Sequence, residues 1–178
     1  AASMTRDALR NMGKQAAGAK ILLCGASYRQ DVADTRYSGS EIVMRKLTEM
    51  GAEMTVHDPY LEHWFELETQ DTYPEPGHSW ARFFRNQDGL VNIRVQNDLR
   101  NAIKGMDAAI LAVPHEPYLK LDPDKIVEWA GGPIAVIDCF GILTDENIRR
   151  YFELGCEVKA LGRGHIQRIK EQVRKTAK

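Results

Sequence analysis

An α/β domain built on an open parallel sheet, covered by helices on both faces, is the fold class this sequence predicts, and three observations predict it. Five short apolar runs recur along the chain: Lys20 to Cys24, Glu53 to His57, Asp107 to Val113, Ile134 to Cys139 and Glu157 to Leu161. Near-continuous apolar strands of this kind belong to sheets buried on both sides. Helical patterns stand between them, and two helix-to-strand junctions, Glu49-Met-Gly-Ala-Glu-Met and Glu153-Leu-Gly-Cys-Glu-Val, are nearly the same text. One structural solution used twice is the reading of that repetition.

Taken in order, Thr5 to Met12 is amphipathic and reads as a terminal helix docked on the domain. The first strand follows from Lys20, and Ser38 to Met50 then carries a capping box, Ser38 with Glu41, an apolar stripe of Val43, Leu47 and Met50, and a stop at Gly51. Residues 60–90 break the rhythm. They hold seven of the fourteen aromatic residues, and Pro74-Glu-Pro-Gly77 interrupts any long element. This segment reads as an insertion after the second strand with its own packing, either an excursion laid on the domain edge or a lid or partner surface. Thr144 to Leu154 repeats the earlier helix design, with acidic Asp145 and Glu146 in its first turn and Gly155 as its stop. His165 to Lys175 closes the chain as an amphipathic helix with Ile166, Ile169 and Val173 inward.

Composition bounds the function. A chain of 178 residues with 43% apolar content makes one domain with a proper core. Its 24 basic and 25 acidic side chains leave a formal charge of -1, so no global field draws it to nucleic acid or an anionic membrane. No apolar stretch approaches the ~20 residues that span a bilayer, and the first residues lack the apolar core of a signal peptide, so the expected location is cytoplasmic. Three cysteines, Cys24, Cys139 and Cys156, with no C-x-x-C pair, argue for reduced thiols rather than disulfides or a zinc knuckle.

Chemistry is expected where the loops diverge at the carboxyl ends of the strands. The first such turn is GASYRQDVADTRYS, residues 25–38. It lacks the G-x-G-x-x-G fingerprint of a dinucleotide turn, yet it offers Tyr28 to stack or hydrogen-bond, Arg29 to grip a phosphate with two N–H groups, and Arg36 near a helix N-terminus. An anion site is one reading; the other is that Asp31, Asp34 and Arg36 pair and cap one another. His57 with Asp58 and His115 with Glu116 match no metal-ligand spacing, and strand-end capping is their expected role. Asp58 also stands where a Rossmann fold places a ribose-binding carboxylate. Cys139 has no histidine fixed beside it, so it is not taken as a nucleophile.

The stretches KILLCGASYRQDVADTRYS, GAEMTVHDPY, DAAILAV, IAVIDC and LGRG, in that order, resemble the carboxyl-terminal, nucleotide-sugar-binding domain of the UDP-glucose/GDP-mannose dehydrogenase family over residues 9–164. The most specific match is Tyr28, Arg29, Asp31, Asp34, Thr35, Arg36 and Ser38. The resemblance implies a Rossmann-like sheet in residues 19–164, with residues 1–18 the end of an interdomain helix and linker and residues 165–178 a C-terminal helix. It implies that Tyr28 and Arg29 contact the nucleotide-sugar while Arg36 reaches towards NAD held on a preceding domain. Family enzymes oxidise a sugar C6 alcohol to a carboxylate in two NAD-dependent steps, with a cysteine and a lysine from earlier domains. Neither the family's Gly-rich cysteine motif nor its N-terminal NAD fingerprint is in these 178 residues, so no catalytic residue is expected here, and the His and carboxylate spacings give no reason to expect a metal.

The implied partners are the nucleotide-sugar, the rest of a dehydrogenase chain and a second copy of the full-length enzyme as a homodimer. Arg29 replaces the family's usual lysine. Cys139-Phe140-Gly141 stands where many UDP-sugar members carry arginine, which leaves UDP- and GDP-sugars both open. Two hypotheses remain: a domain of a nucleotide-sugar dehydrogenase, favoured because Thr5 to Lys14 reads like the tail of a longer interdomain helix, and a stand-alone nucleotide-binding module that lost the reaction.

Overall fold

The computed structural model describes residues 1–70 and 87–176. Among them six strands form one parallel sheet in the order β3-β2-β1-β4-β5-β6. The strands are β1 (Lys20–Cys24), β2 (Glu53–His57), β3 (Val95–Gln96), β4 (Ala108–Leu111), β5 (Ala135–Asp138) and β6 (Glu157–Ala160). The chain moves outward from β1 through β2 to β3, then crosses back to β4 on the other side of β1. This reversal opens a crevice above the carboxyl ends of β1 and β4.

Period-two alternation sorts the strand residues between two cores. Ile21, Leu23, Ala108, Ile110, Ala135 and Ile137 face one side, where α1 (Ala2–Asn11) brings Ala8 and Leu9 and α2 (Gly39–Glu49) brings Met44 and Leu47. Leu22, Cys24, Ala109, Leu111, Val136 and Val158 face the other, under Tyr151 of α8 (Asp145–Glu153) and Ile169 of α9 (Ile166–Thr176). A strand buried on both faces reads as a near-unbroken apolar run, as β1, β4 and β5 do.

Both junction glycines take the same left-handed conformation, with φ +84° at Gly51 and +82° at Gly155, one residue past the helix C-caps Met50 and Leu154. The repeated text is therefore a repeated helix stop. The capping box at Ser38 forms only in half. Ser38 Oγ accepts from the Ser40 amide at 3.2 Å, whereas Glu41 turns away to accept from buried Arg45 Nε at 2.9 Å. At α8 the Thr144 hydroxyl accepts the Asn147 amide at 3.1 Å.

Short elements escape a pattern search. These are α3 (Phe65–Glu68), α4 (Asp88–Val91), strand β3, α5 (Leu99–Ala102) and α6 (Glu116–Leu119). The helix α7 (Pro123–Ala130) has an Asp122 cap, proline at its first position and left-handed Gly131 at its end. Of the aromatic-rich segment, residues 60–70 and 87–90 are described. Leu61, Trp64, Leu67 and Leu90 join the same core as Met44 and Leu47, so this part shares the domain's packing, and among the described residues no separate aromatic core forms. Tyr73, Trp80, Phe83 and Phe84, and with them the lid or partner reading, lie outside the described residues. The two described ends meet at one place: Gln70 Oε1 accepts from the Gln87 amide at 2.8 Å and from Arg45 Nη1 at 3.3 Å.

Candidate functional site

The β1 turn, residues 25–38, leaves the sheet at the crevice. Gly25 opens it at φ +99°, and a Cβ there would stand 2.6 Å from Val113 Cβ, so only glycine fits between β1 and the end of β4. Three buried serines then stitch the turn. Ser27 Oγ donates to Val32 O at 2.6 Å, Ser38 Oγ to Ser27 O at 3.0 Å and Ser40 Oγ to Gly25 O at 2.8 Å.

The next two amides of the turn are already taken. Ala26 N at 2.9 Å and Ser27 N at 3.4 Å donate to Asp58 Oδ2, and the Tyr60 amide donates to Oδ1 at 2.9 Å. In a dinucleotide-binding turn the opening amides face the pyrophosphate. Here a fully buried carboxylate at the end of β2 occupies that place. Burial alone would raise the Asp58 carboxyl, but the His115 contact and the Ala26 and Tyr60 amides outweigh it and hold it below the usual carboxylate range. Asp58 thus organises the turn and has no face left for a ribose. A dinucleotide of its own does not fit this turn, and NAD is not assigned to it.

His115, at the end of β4 and fully buried, joins the same knot. Its Nε2 stands 3.1 Å from Asp58 Oδ2 and its Nδ1 accepts the Asp31 amide at 2.9 Å. A backbone N–H can only donate, so Nδ1 is bare and the ring proton sits on Nε2, aimed at the carboxylate. Asp31 returns the contact across the loops, accepting from the Glu116 amide at 2.9 Å and Tyr60 Oη at 3.0 Å. Glu116's own side chain pairs with Lys120 on the surface. His57 is occupied by Tyr118, whose hydroxyl lies 2.8 Å from Nδ1 and donates to the His57 carbonyl at 3.0 Å; burial pushes the His57 imidazole down. Among the described residues no group of three or more His, Cys, Asp or Glu side chains is arranged to hold a metal.

What the knot leaves outward is the tip of the turn. Tyr28 and Arg29 are exposed, with the Arg29 guanidinium 5.4 Å from the Tyr28 ring centroid. Among the described residues Arg29 makes no ion pair. Arg36 differs: Asp34 holds it through two contacts, Nε at 2.9 Å and Nη2 at 2.6 Å, and that hydrogen-bonded pair pulls the Asp34 carboxyl down to about 2. The pairing reading therefore applies to Asp34 and Arg36, while Asp31 bonds elsewhere.

On the other side of the crevice, buried Asp138 ends β5 and accepts from the amides of Phe140, Gly141 and Leu143 at 3.1, 2.8 and 3.0 Å. Arg163, after β6, donates to the carbonyls of Leu143 at 2.7 Å and Gly141 at 3.0 Å. Phe140 is left projecting, 58% exposed. Burial pushes the Cys139 thiol up to about 11, the state of an inert thiol rather than a nucleophile. Asp58, Asp138 and His115 share one legible signal, a polar residue at or just beyond the end of a strand; that Asp58, His115 and Tyr60 meet in one knot has none.

This is an open α/β domain with a prepared crevice at its topological switch point and a cationic, aromatic turn tip beside it. The chain belongs to the UDP-glucose/GDP-mannose dehydrogenase family, whose UDP binding domain matches residues 22–145. It is 21% identical over 144 residues to a UDP-glucose 6-dehydrogenase of Drosophila melanogaster, a match that covers 81% of this chain and 28% of the fly protein. The fold is similar to that of an NDP-N-acetyl-D-galactosaminuronic acid dehydrogenase of Methanosarcina mazei Go1, with a TM-score of 0.72, 22% identity and coverage of 93% of this chain and 29% of that one. It is similar also to a UDP-D-ManNAc dehydrogenase of Pyrococcus horikoshii, with a TM-score of 0.66, 18% identity and coverage of 92% and 30%. The chain thus spans less than a third of the length of these relatives. Among the described residues no helix is long and apolar enough to cross a membrane.

Proposed function

We propose that this chain is the nucleotide-sugar-binding part of an NAD-dependent nucleotide-sugar 6-dehydrogenase, which oxidises the C6 alcohol of a UDP- or GDP-sugar to a carboxylate. One observation carries the assignment. The turn at the switch point spends its opening amides on Asp58 and presents instead Arg29, a cation with no ion pair among the described residues, beside the exposed ring of Tyr28. A planar guanidinium meets phosphate oxygens with paired hydrogen bonds, and an aromatic face suits the base or ribose of the same ligand.

Tyr28 and Arg29 are the substrate-binding residues in this reading. Arg36 is assigned to NAD held by another part of the dehydrogenase, and the rest of that chain and a second copy of it are the protein partners, at work in the cytoplasm. Hydride transfer to NAD is chemistry supplied from outside these residues; this domain binds and orients. Calorimetric titration of UDP-glucose, UDP-N-acetylglucosamine and GDP-mannose into the whole dehydrogenase carrying this domain tests it. Arg29→Ala should weaken at least one of them, whereas parent affinity for all three removes the turn from the site. A stand-alone module would bind the same ligands but have no dehydrogenase around it, so the length of the natural chain separates the two readings.

A further inference from the structure

We infer that His115 is a positioning residue for the nucleotide-sugar turn, holding the segment that carries Tyr28 and Arg29 through one bond from each ring nitrogen. The inference rests on the reading of the β1 turn as the nucleotide-sugar site.

Four observations converge on it. Asp31, two residues after Arg29, has φ +55°, a left-handed conformation that a non-glycine residue keeps only where its surroundings enforce it. Its amide donates to His115 Nδ1 at 2.9 Å. Its carboxylate is held by the Glu116 amide at 2.9 Å, next along the chain from His115, and by Tyr60 Oη at 3.0 Å. The far side of the same imidazole faces Asp58 Oδ2 at 3.1 Å, the carboxylate that already fixes the Ala26 and Ser27 amides before Tyr28. Tyr28 and Arg29 are therefore bracketed. Asp58 fixes the backbone before them, Asp31 is fixed after them, and His115 joins the two anchors through its two ring nitrogens, while Tyr60 joins them through its amide and its hydroxyl.

The ring is sealed in place. It is fully buried, with Tyr60 packed edge-on at 5.0 Å and Tyr118 at 5.7 Å between ring centroids. Its role needs a group that accepts on one side and donates on the other. A neutral imidazole does this with a rigid spacing between its nitrogens, and shorter or longer amide side chains reproduce only one end each. Asparagine can bring an oxygen to the place of Nδ1 but falls short of Asp58. Glutamine can reach Asp58 but leaves the Asp31 amide without its acceptor.

Three variants of the whole dehydrogenase carrying this domain, His115→Phe, His115→Asn and His115→Gln, separate positioning from stability. Amide hydrogen exchange in the turn, 26–37, and the dissociation constants of UDP-glucose and GDP-mannose are measured well below each variant's melting temperature. His115→Phe and His115→Gln should raise exchange at Asp31 at least ten-fold and weaken the better ligand about ten-fold. His115→Asn should restore most of both, whatever its melting temperature. A purely structural histidine gives another pattern, in which melting temperature falls and affinity of the folded protein does not change; that pattern, or equal affinity in all three variants, overturns the inference. If the parent dehydrogenase binds neither nucleotide-sugar, the functional reading fails by itself, and exchange at Asp31 alone then decides whether His115 holds the turn. Parent-like exchange in His115→Phe rejects it.

Discussion

Asp58 and Asp138 invite comparison. Each is the last buried residue or the first beyond a strand of the same sheet, each is fully buried, and each accepts several backbone amides. Yet Asp138 bonds only to amides two to five residues ahead of it, within its own loop. Asp58 draws its donors from three loops: Ala26 and Ser27 after β1, Tyr60 after β2 and His115 after β4. The first is a local turn device; the second ties three strand ends into one body. The β1 side of the crevice is thus preorganised by long-range contacts and carries Arg29, which has no ion pair among the described residues, while the β5 side is shaped locally and its Arg163 donates to the carbonyls of Gly141 and Leu143.

Removing the charge from each carboxylate is the strongest way to test this contrast. Asp58→Asn replaces one acceptor end by a donor facing backbone donors inside a buried network, and should cost about 3 kcal/mol of unfolding free energy. Asp138→Asn can reorient within a short loop and should cost about 1 kcal/mol on the same scale. Denaturant unfolding of both variants checks it, and equal losses would erase the distinction. The pH dependence sharpens the same point. Because folding lowers the Asp58 carboxyl, its contribution is fully present above the ordinary aspartate value of about 4 and is lost as pH falls through the lowered folded value. Asp58→Asn should therefore flatten the acid limb of the stability curve below about pH 4.

The second effect separates the two arginines. Arg29→Ala should weaken nucleotide-sugar binding by about ten- to a hundred-fold, since a charge-assisted phosphate contact is worth roughly 1.5–3 kcal/mol, with little change in stability. Arg29→Lys should recover part of the affinity, as a point charge without the fork. Arg163→Ala should do the reverse, lowering stability by about 1 kcal/mol through two lost carbonyl contacts and leaving affinity nearly intact. Titration and thermal unfolding of the three variants in parallel read both columns; an Arg163→Ala protein that loses affinity as severely as Arg29→Ala would move the phosphate site across the crevice.

How much of this was legible in the sequence follows the same line between local and distant. Strands β1, β4 and β5 are legible because burial on both faces leaves a near-unbroken apolar run, β2 and β6 are legible more weakly because polar residues interrupt them, and the helix stops at Gly51 and Gly155 are legible because left-handed closure needs glycine. The turn that carries Tyr28, Arg29 and Arg36 stands out by its departure from the glycine pattern of a dinucleotide turn. What stayed hidden was pairing at a distance. Nothing in the sequence links His115 to Asp31, 84 positions apart, or Thr35 to Glu66, 31 apart, whose hydroxyl and carboxylate meet at 2.6 Å. Strand β3 stayed hidden for a different reason, since two residues are too few to show a period.

A smaller effect concerns Arg36. Its side chain is already engaged by Asp34, though 74% of it remains exposed, so it would meet a ligand as part of a pair. In the whole dehydrogenase Arg36→Ala should raise the KM for NAD about five-fold, an exposed charged contact of order 1 kcal/mol, without changing the KM for the nucleotide-sugar. Steady-state kinetics with each substrate varied in turn decides it; an effect confined to the nucleotide-sugar would place Arg36 with Arg29 instead.

The smallest expected effect belongs to Tyr28, and it asks whether preorganisation extends to the tip of the turn. The backbone beneath it is already fixed, with the Tyr28 amide donating to Asp34 O at 2.9 Å, so the ring is not needed to build the turn. Its remaining work is at the surface: the Arg29 guanidinium lies 5.4 Å from its centroid, and 46% of the residue is open to a ligand. An exposed cation–π contact is worth roughly 0.5–1 kcal/mol, so Tyr28→Ala should weaken nucleotide-sugar binding about two- to five-fold, well short of Arg29→Ala. Tyr28→Phe should bind like the parent if the ring face is what matters, and like Tyr28→Ala if the hydroxyl is. In an Arg29→Ala background the Tyr28→Ala loss should shrink, because part of the ring's value is to hold the guanidinium, and the two changes together should cost less than their sum. Full additivity in that double-mutant cycle would mean that Tyr28 and Arg29 meet the ligand independently, and that only the backbone of the turn, not its tip, is prepared in advance.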